Sequence, residues 1–166
     1  MINKELQKRI LSSIILIPIA IFFIFQGSVF FAFFLSIFFL ASSYEWIKLN
    51  KKDSFRLIGI LYILFASYFT YLLNKDFFFQ FILILIICIF TDIGGYIFGK
   101  VFKGPKLTKI SPKKTYSGLY GSFIIAFVFM FLFKDLLILN NLIIFTFTFS
   151  VCLLSQLGDL FFSYLK

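Results

Sequence analysis

Short charged segments divide this sequence into six long apolar stretches, and this division constrains the fold more than any other feature. Hydrocarbon offers the backbone no hydrogen-bond partners, so each stretch is expected to cross a bilayer as a helix, whose hydrogen bonds are internal. A perpendicular helix needs about 20 residues to cross the hydrocarbon. The pattern therefore predicts an all-α, polytopic bundle of about six transmembrane helices, with approximate bounds 10–25, 29–47, 57–73, 77–99, 119–133 and 142–165.

The composition agrees with this class of protein. Apolar residues make up 61% of the chain, Phe alone occurs 29 times, and charged residues make up only 14%. Soluble domains carry about a quarter charged residues. The chain is therefore predicted to be an integral membrane protein, and its 166 residues fit one membrane domain, 1–166.

The basic residues predict the orientation of these helices. All but two of the 16 lysines and arginines fall on one side of the predicted bundle, and the exceptions are Lys75 and Lys134. Because basic loops are retained in the cytoplasm, both termini and the Lys-rich loop 100–117 are predicted to be cytoplasmic. A signal peptide over residues 1–25 is the competing interpretation, but no small-x-small cleavage site follows the apolar run.

Several other classes of function are disfavoured by the sequence. The net charge of +9 follows from the basic cytoplasmic loops and from attraction to anionic membrane lipids, and no recognition helix or base-stacking platform indicates a nucleic-acid partner. Histidine is absent, which excludes histidine general bases and the usual zinc sites. Cys88 and Cys152 lie in apolar runs and are predicted to be small core residues.

The fourth apolar stretch reaches full length only by continuing through Asp92 and a group of glycines. If this helix continues, then Asp92, Tyr96 and Gly99 share one face. Gly95 and Gly99 have the Gly-x-x-x-Gly spacing that lets a second helix approach closely. Two interpretations stay open at this point, a packing motif with an acid at the membrane boundary or part of a functional site.

The segment that follows combines lysines and hydroxyl groups directly before the fifth helix. Six lysines occur between Lys100 and Thr115, and the order Ser111-Pro112-Lys113-Lys114 precedes that threonine. Free backbone N–H groups at a helix N-terminus bind anions, and lysines add charge to those hydrogen bonds. A solvated basic loop explains the charge but not this order, so the segment predicts phosphate binding.

An acid also lies in the sixth apolar stretch. Ser155, Asp159 and Ser163 share a helical face, with Gln156 beside them. A carboxylate at the bilayer centre costs on the order of 2.5–3.5 kcal/mol, so it needs a partner or a function. The structural interpretation is an interfacial acid paired with a loop lysine. The functional one is a ligand of Mg²⁺, which prefers oxygen donors and shares them with substrate phosphates.

Three motifs together resemble those of the bacterial phosphatidate cytidylyltransferases, also called CDP-diacylglycerol synthases. They are Asp-x-Gly-Gly-Tyr-x-x-Gly-Lys at 92–100, Ile-Ser-Pro-Lys-Lys-Thr-x-x-Gly at 110–118 and Gln-Leu-Gly-Asp-Leu-x-x-Ser at 156–163. Arg9-Ile10, Pro18 and Tyr44-Glu45-Trp46 resemble the first two helices of that family. The resemblance implies an enzyme of the inner, cytoplasmic membrane that joins CTP to phosphatidic acid with Mg²⁺ and gives CDP-diacylglycerol and pyrophosphate.

The resemblance also implies the residues of the site. Lys113 and Lys114 are expected on the triphosphate, and Ser111 and Thr115 on phosphate oxygens. Asp159 is expected to bind Mg²⁺, with Asp92 as a second acid on the metal or the nucleotide. The catalytic residues are thus predicted to be Asp92, Lys113, Lys114 and Asp159, and the further substrate contacts Lys100, Ser111, Thr115, Gln156 and Ser163.

Two departures from the family pattern bear on activity. Ser117 stands where the family usually has Glu, and family members continue beyond the equivalent of Lys166 into a signature with Pro-Gly-His-Gly-Gly and Asp-Arg-x-Asp. We therefore expect a truncated enzyme, or a second chain or homodimer that completes the site. The alternatives are a non-catalytic subunit that binds CTP or acidic lipid, and a small ion-coupled transporter. The transporter ranks last because the polar groups cluster on one side.

Overall fold

The computed structural model describes the backbone of residues 4–49, 53–107, 114–137 and 140–165. Within these ranges the chain forms seven α-helices, and all six apolar stretches are helical, which confirms the predicted all-α class. The helices are α1 (Lys4–Gln26), α2 (Ser28–Leu49), α3 (Asp53–Asp76), α4 (Phe78–Phe102), α5 (Tyr116–Leu132), α6 (Lys134–Leu137) and α7 (Asn141–Leu165).

By length and apolar composition, four of these helices are able to cross a bilayer, over Val29–Leu49, Asp53–Asp76, Phe78–Phe102 and Asn141–Phe161. Two shorter apolar helices accompany them, Ile14–Gln26 and Tyr116–Leu132. Large apolar side chains such as Ile14, Phe33 and Leu154 are well exposed on these helices, as expected where lipid is the solvent. The chain is a multi-pass helical membrane protein, and its cytoplasmic termini stay a prediction.

The helices extend further than the apolar stretches from which they were predicted. α4 runs through Asp92 to Phe102, and α5 begins at Tyr116, so both enter the range 100–117 that was predicted as loop. The reason is physical. Apolar residues mark the part of a helix that meets lipid, whereas its ends depend on capping groups and on how far backbone hydrogen bonding continues.

The chain divides into two compact units, Met1–Phe81 and Ile82–Lys166, and the boundary falls within α4. In the first unit, the Trp46 indole of α2 lies against Gly59 of α3 and donates a hydrogen bond to the Phe55 carbonyl at 3.0 Å. The Asn74 amide of α3 donates to the Ile24 carbonyl at 3.3 Å, near the end of α1. A single membrane domain over 1–166 stays a prediction.

The second unit contains the remainder of α4, with α5, α6 and α7. Its core is apolar, and it is formed by Leu83, Ile87, Ala126, Met130, Ile144 and Cys152. Cys88 and Cys152 are free thiols. Cys152 is fully buried in this core, as predicted, whereas Cys88 is half-buried and does not belong to the core cluster. Every described residue of the predicted site lies in this second unit.

Candidate functional site

A cavity of about 190 Å³ lies in the second unit, between residues of α4, α5, α7 and the segment before α5. Its walls combine two carboxylates with one ammonium, one amide and four hydroxyl-bearing side chains, and these polar residues are Asp92, Asp159, Lys114, Gln156, Thr91, Tyr96, Thr115 and Ser122. Leu107 and Leu119 add apolar surface. The cavity therefore joins two acids that lie more than 60 residues apart in the sequence with a lysine that lies between them in the chain.

The shortest polar contact in the cavity joins Lys114 to Asp159. The lysine Nζ donates to the carboxylate Oδ2 at 2.7 Å, and the two side chains are 24% and 52% exposed. This pair is the contact that the structural interpretation of the Asp159 motif predicted. About half of the Asp159 side chain is exposed, so the carboxylate is accessible as well as paired.

Lys114 owes its position to its own backbone. The Leu107 N–H donates to the Lys114 carbonyl at 2.8 Å, and the Tyr116 N–H donates to the Pro105 carbonyl at 3.0 Å. These two bonds form a short antiparallel bridge between Lys106 and Thr115. The bridge holds the residues that precede α5 against those that follow α4.

Thr115 begins α5 as its N-cap. Its hydroxyl oxygen accepts a hydrogen bond from the Gly118 N–H at 3.1 Å and lies 3.0 Å from the Ser117 hydroxyl. An N-cap oxygen satisfies one of the backbone donors that every helix start leaves free. The Ser117 hydroxyl in turn accepts from the Gly104 N–H at 3.2 Å. Thr115 thus orders the end of the segment in addition to lining the cavity.

Glycines bring α4 and α5 into backbone contact beside the cavity. A Cβ atom on Gly118 would lie 2.8 Å from the Gly95 carbonyl oxygen and 3.5 Å from the Gly99 Cα. A Cβ on Gly121 would collide with the Phe98 side chain, and one on Gly94 with the Gly121 carbonyl. The Gly-x-x-x-Gly spacing predicted such an approach, and the structure identifies α5 as the partner helix. This contact positions Asp92 near Thr115.

A buried hydrogen bond connects α5 to α7 at the inner end of the cavity. The Ser122 hydroxyl is fully buried and donates to the Gly118 carbonyl at 3.1 Å. Because its proton is used there, its oxygen accepts from the Gln156 amide at 3.0 Å. The Gln156 side chain is therefore oriented with its nitrogen toward Ser122, one helical turn before Asp159.

The structure brings together five of the predicted site residues, Asp92, Lys114, Thr115, Gln156 and Asp159. It does not place Lys100 or Ser163 on the cavity wall. The Lys100 ammonium lies 5.5 Å from the centre of the Tyr96 ring, and the Ser163 hydroxyl donates to the Asp159 carbonyl at 2.8 Å. Ser111 and Lys113 lie outside the described residues, so their predicted phosphate contacts stay predictions.

Two buried polar residues of the cavity were missed by sequence reasoning, Thr91 and Ser122. Both side chains are fully buried in otherwise apolar helices, and the Thr91 hydroxyl donates to the Ile87 carbonyl at 2.7 Å and lies 3.4 Å from the Cys152 sulfur. A small polar residue inside an apolar stretch is the only signal that could have found them. That signal is weak, because such hydroxyls commonly bond to their own helix.

The cavity lies in a part of the sequence that matches a known protein family. Residues 54–166 match the model of a family described as the cytidylyltransferase family. The match includes every described residue of the cavity.

Individual relatives match over nearly the full chain. A phosphatidate cytidylyltransferase of Rickettsia felis is 30% identical over 177 residues, which cover 99% of this chain and 78% of that protein. The protein of the same name from Rickettsia bellii is 30% identical and the one from Rickettsia conorii 29% identical. Each alignment covers 99% of this chain and 76% of the relative. No solved structure matches the chain.

Proposed function

The chain belongs to the cytidylyltransferase family, and from this premise we propose that it is a membrane-embedded phosphatidate cytidylyltransferase. Such an enzyme transfers the cytidylyl group of CTP to phosphatidic acid, giving CDP-diacylglycerol and pyrophosphate. The observation that carries the proposal is the shared cavity of Asp92, Lys114 and Asp159, which lies within the family match. Lys114 offers a positive charge to the phosphates, and the two carboxylates offer oxygens that can bind a cation.

The chemistry needs charge and alignment from the protein, not a covalent nucleophile. An oxygen of the phosphatidate phosphate attacks the α-phosphorus of CTP, one phosphorus–oxygen bond forms, and the bond to the leaving pyrophosphate breaks. In phosphoryl-type transfers, catalysis comes from positioning the phosphates and offsetting their charge. Lys114 is the described lysine on the cavity wall and is proposed to bind the triphosphate, with Lys113 as a second predicted contact.

The donor groups of the cavity suit Mg²⁺, the predicted cofactor. Asp92 and Asp159 offer carboxylate oxygens, and Mg²⁺ is commonly held by one or two carboxylates together with substrate phosphates and water. Across the described ranges there is no cluster of three or more His, Cys, Asp or Glu side chains, so these two acids are the proposed protein ligands. When bound, Mg²⁺ would offset the negative charge of the phosphate oxygens.

The proposed substrates explain why the site lies in a membrane protein. Phosphatidic acid stays in the bilayer, whereas CTP stays in water, so the site has to lie where helix ends meet the membrane surface. The polar residues of α4 and α7 lie toward the C-terminal ends of their helices, and Thr115 lies at the N-terminal end of α5. We propose that these ends face the cytoplasm at the inner membrane, since the lysines of this region follow the positive-inside rule.

A second chain or a homodimer that adds residues to this site stays a proposal. Two measurements test this proposal. One is the mass of the active species in detergent, and the other is the activity of samples that mix two inactive variants. Restored activity in such a mixture would support a site shared between chains. A monomeric active species would contradict it.

The direct test of function follows α-phosphorus-labelled CTP into lipid. The purified chain is incubated in mixed detergent–phosphatidate micelles, and chloroform-extractable label is identified as CDP-diacylglycerol. We expect incorporation that needs both phosphatidate and Mg²⁺ and that stops on chelation. Label that enters lipid without phosphatidate, or no incorporation by folded protein, would contradict the proposed activity.

A further inference from the structure

The Lys114 ammonium has one contact in the structure and a different one in the proposed reaction. In the structure the ammonium is bound to Asp159 at 2.7 Å, yet the proposed reaction needs the same ammonium on a phosphate and the same carboxylate on a cation. One oxygen, Oδ2 of Asp159, cannot bind the ammonium and a cation directly at the same time. A cation that binds through this oxygen therefore has to open the ion pair.

We propose that Lys114 acts as a placeholder for the divalent cation at Asp159, and that the arriving cation displaces the ammonium toward the phosphates of the nucleotide. The inference rests on the proposed function and deepens it, because it states how this site is filled. The exchange couples cation binding at Asp159 to the release of the Lys114 ammonium toward the nucleotide. A cation at Asp159 releases a positive charge into the cavity at the moment when an anionic substrate needs it.

The charges of the described cavity residues favour this order. Asp92 and Asp159 contribute two negative charges and Lys114 one positive charge, so these three side chains together carry a net negative charge and attract cations. After a divalent cation has bound, the balance is positive and favours an anion. The ion pair itself is a weak barrier, because pairs of this exposure contribute little to stability.

The surroundings of Lys114 permit a side-chain movement without a backbone movement. The Lys106–Thr115 bridge fixes the backbone on either side, and the lysine side chain is a flexible four-carbon stem with a mobile ammonium. Thr115, which follows directly, is fixed as the cap of α5. The ammonium can therefore turn from Asp159 to a ligand in the same cavity while the capped helix stays in place.

The experiment measures how fast each lysine is acylated by an amine-reactive ester, read by peptide mass spectrometry, with Mn²⁺ as a cation visible by electron paramagnetic resonance. No nucleotide is present. In the wild-type protein we expect Mn²⁺ to raise the acylation rate of Lys114 roughly two- to fivefold, in line with the weak stabilisation of exposed ion pairs. Lys106, which is exposed and outside the cavity, is the internal control and should keep its rate.

Two variants separate the exchange from other effects of the cation. Asp159→Asn should acylate at Lys114 quickly without Mn²⁺ and should no longer respond to it. Asp135→Asn removes an exposed acid outside the cavity and should behave as the wild type. Thermal unfolding of each variant shows that it is folded.

The outcomes distinguish this inference from the proposed function. Mn²⁺ that binds without changing the Lys114 rate would mean that the cation uses Oδ1 while the ion pair persists, and this overturns the exchange. Absence of Asp159-dependent Mn²⁺ binding overturns it as well. Either result can occur in a protein that incorporates CTP into lipid normally. Failure of that incorporation overturns the proposed function whatever the lysine does.

Discussion

At the scale of single residues, Asp159 is the side chain on which the proposed site depends most. It accepts the Lys114 ammonium, lies in the same cavity as Asp92, and follows Gln156 by one turn on α7. The contact with a loop lysine was the structural interpretation of this motif, and the structure shows that contact. The functional interpretation, a ligand of Mg²⁺, stays a prediction. The two are compatible, because a charged group near a bilayer needs a partner or a function.

Replacement of Asp159 by Asn tests its charge apart from its shape. We expect the rate of CTP incorporation into lipid to fall about 10²–10³-fold, a loss typical of removing one preorganised electrostatic group from an active site. The measurement is initial rates in phosphatidate micelles, with Asp135→Asn as the matched control that keeps its activity. A variant that is folded and retains most of its activity would limit Asp159 to a structural role.

Thr115 tests the local order of the segment before α5. Thr115→Ala removes the N-cap oxygen that accepts from Gly118, and the loss of such a cap costs about 1 kcal/mol of stability. Thr115→Ser keeps that oxygen and should stay near wild type in the same unfolding experiment. If the alanine and serine variants unfold at the same temperature, the cap contributes nothing measurable.

At the scale of elements, the crossing of α4 and α5 decides where the charges of the site lie. Gly95 and Gly118 approach backbone to backbone, so that Asp92 on one helix and Thr115 at the start of the other line one cavity. Close approach through small residues is a common way for helices to associate in lipid, where packing replaces the hydrophobic effect. The glycines thus determine how closely α4 and α5 approach beside the cavity.

Adding a methyl group at this crossing should separate the helices. Gly118→Ala would place a Cβ 2.8 Å from the Gly95 carbonyl oxygen, and overpacking of this kind costs about 1–3 kcal/mol. We expect a lower unfolding temperature in detergent and reduced incorporation of CTP. Gly158→Ala is the matched control, because no atom lies within 4 Å of the added Cβ, and its unfolding temperature should not fall. Equal behaviour of the two variants would contradict the close crossing.

At the scale of the whole molecule, the chain is a multi-pass membrane protein whose described site residues all lie in the second compact unit. The family match covers residues 54–166 and so includes that unit completely. The proposed orientation puts the Lys-rich segment in the cytoplasm, where CTP is available, and the short segment before α7 on the other side.

Single cysteines introduced into a cysteine-free background test this orientation. A cysteine at Lys106 should react with a membrane-impermeant maleimide only after the cytoplasmic side is opened, whereas one at Asn140 should react in intact cells. The reason is that five other lysines flank Lys106 on the predicted inner side. The opposite pattern would reject both the topology and a site that uses cytoplasmic CTP.

The apolar stretches determined the class of the fold, because helix formation in hydrocarbon follows from backbone hydrogen bonding and length alone. They also located α1 to α5 and α7, and the Gly95–Gly99 spacing predicted that some helix would approach α4 closely. The motifs around Asp92, Thr115 and Asp159 indicated the chemistry of the site, because a charged residue inside an apolar stretch requires a partner or a function. These inferences depend on near neighbours in the chain.

Tertiary structure alone decided which groups meet. Six lysines occur between Lys100 and Thr115, and only the packing of the helices shows that Lys114 pairs with an acid 45 residues away on α7. Packing also decided that Gly118 is the partner of Gly95 and that Ser122 accepts from Gln156. It likewise decided that Lys100 does not line the cavity. Periodicity specifies the faces of one helix at a time, whereas the contacts of a site depend on how several helices pack against one another.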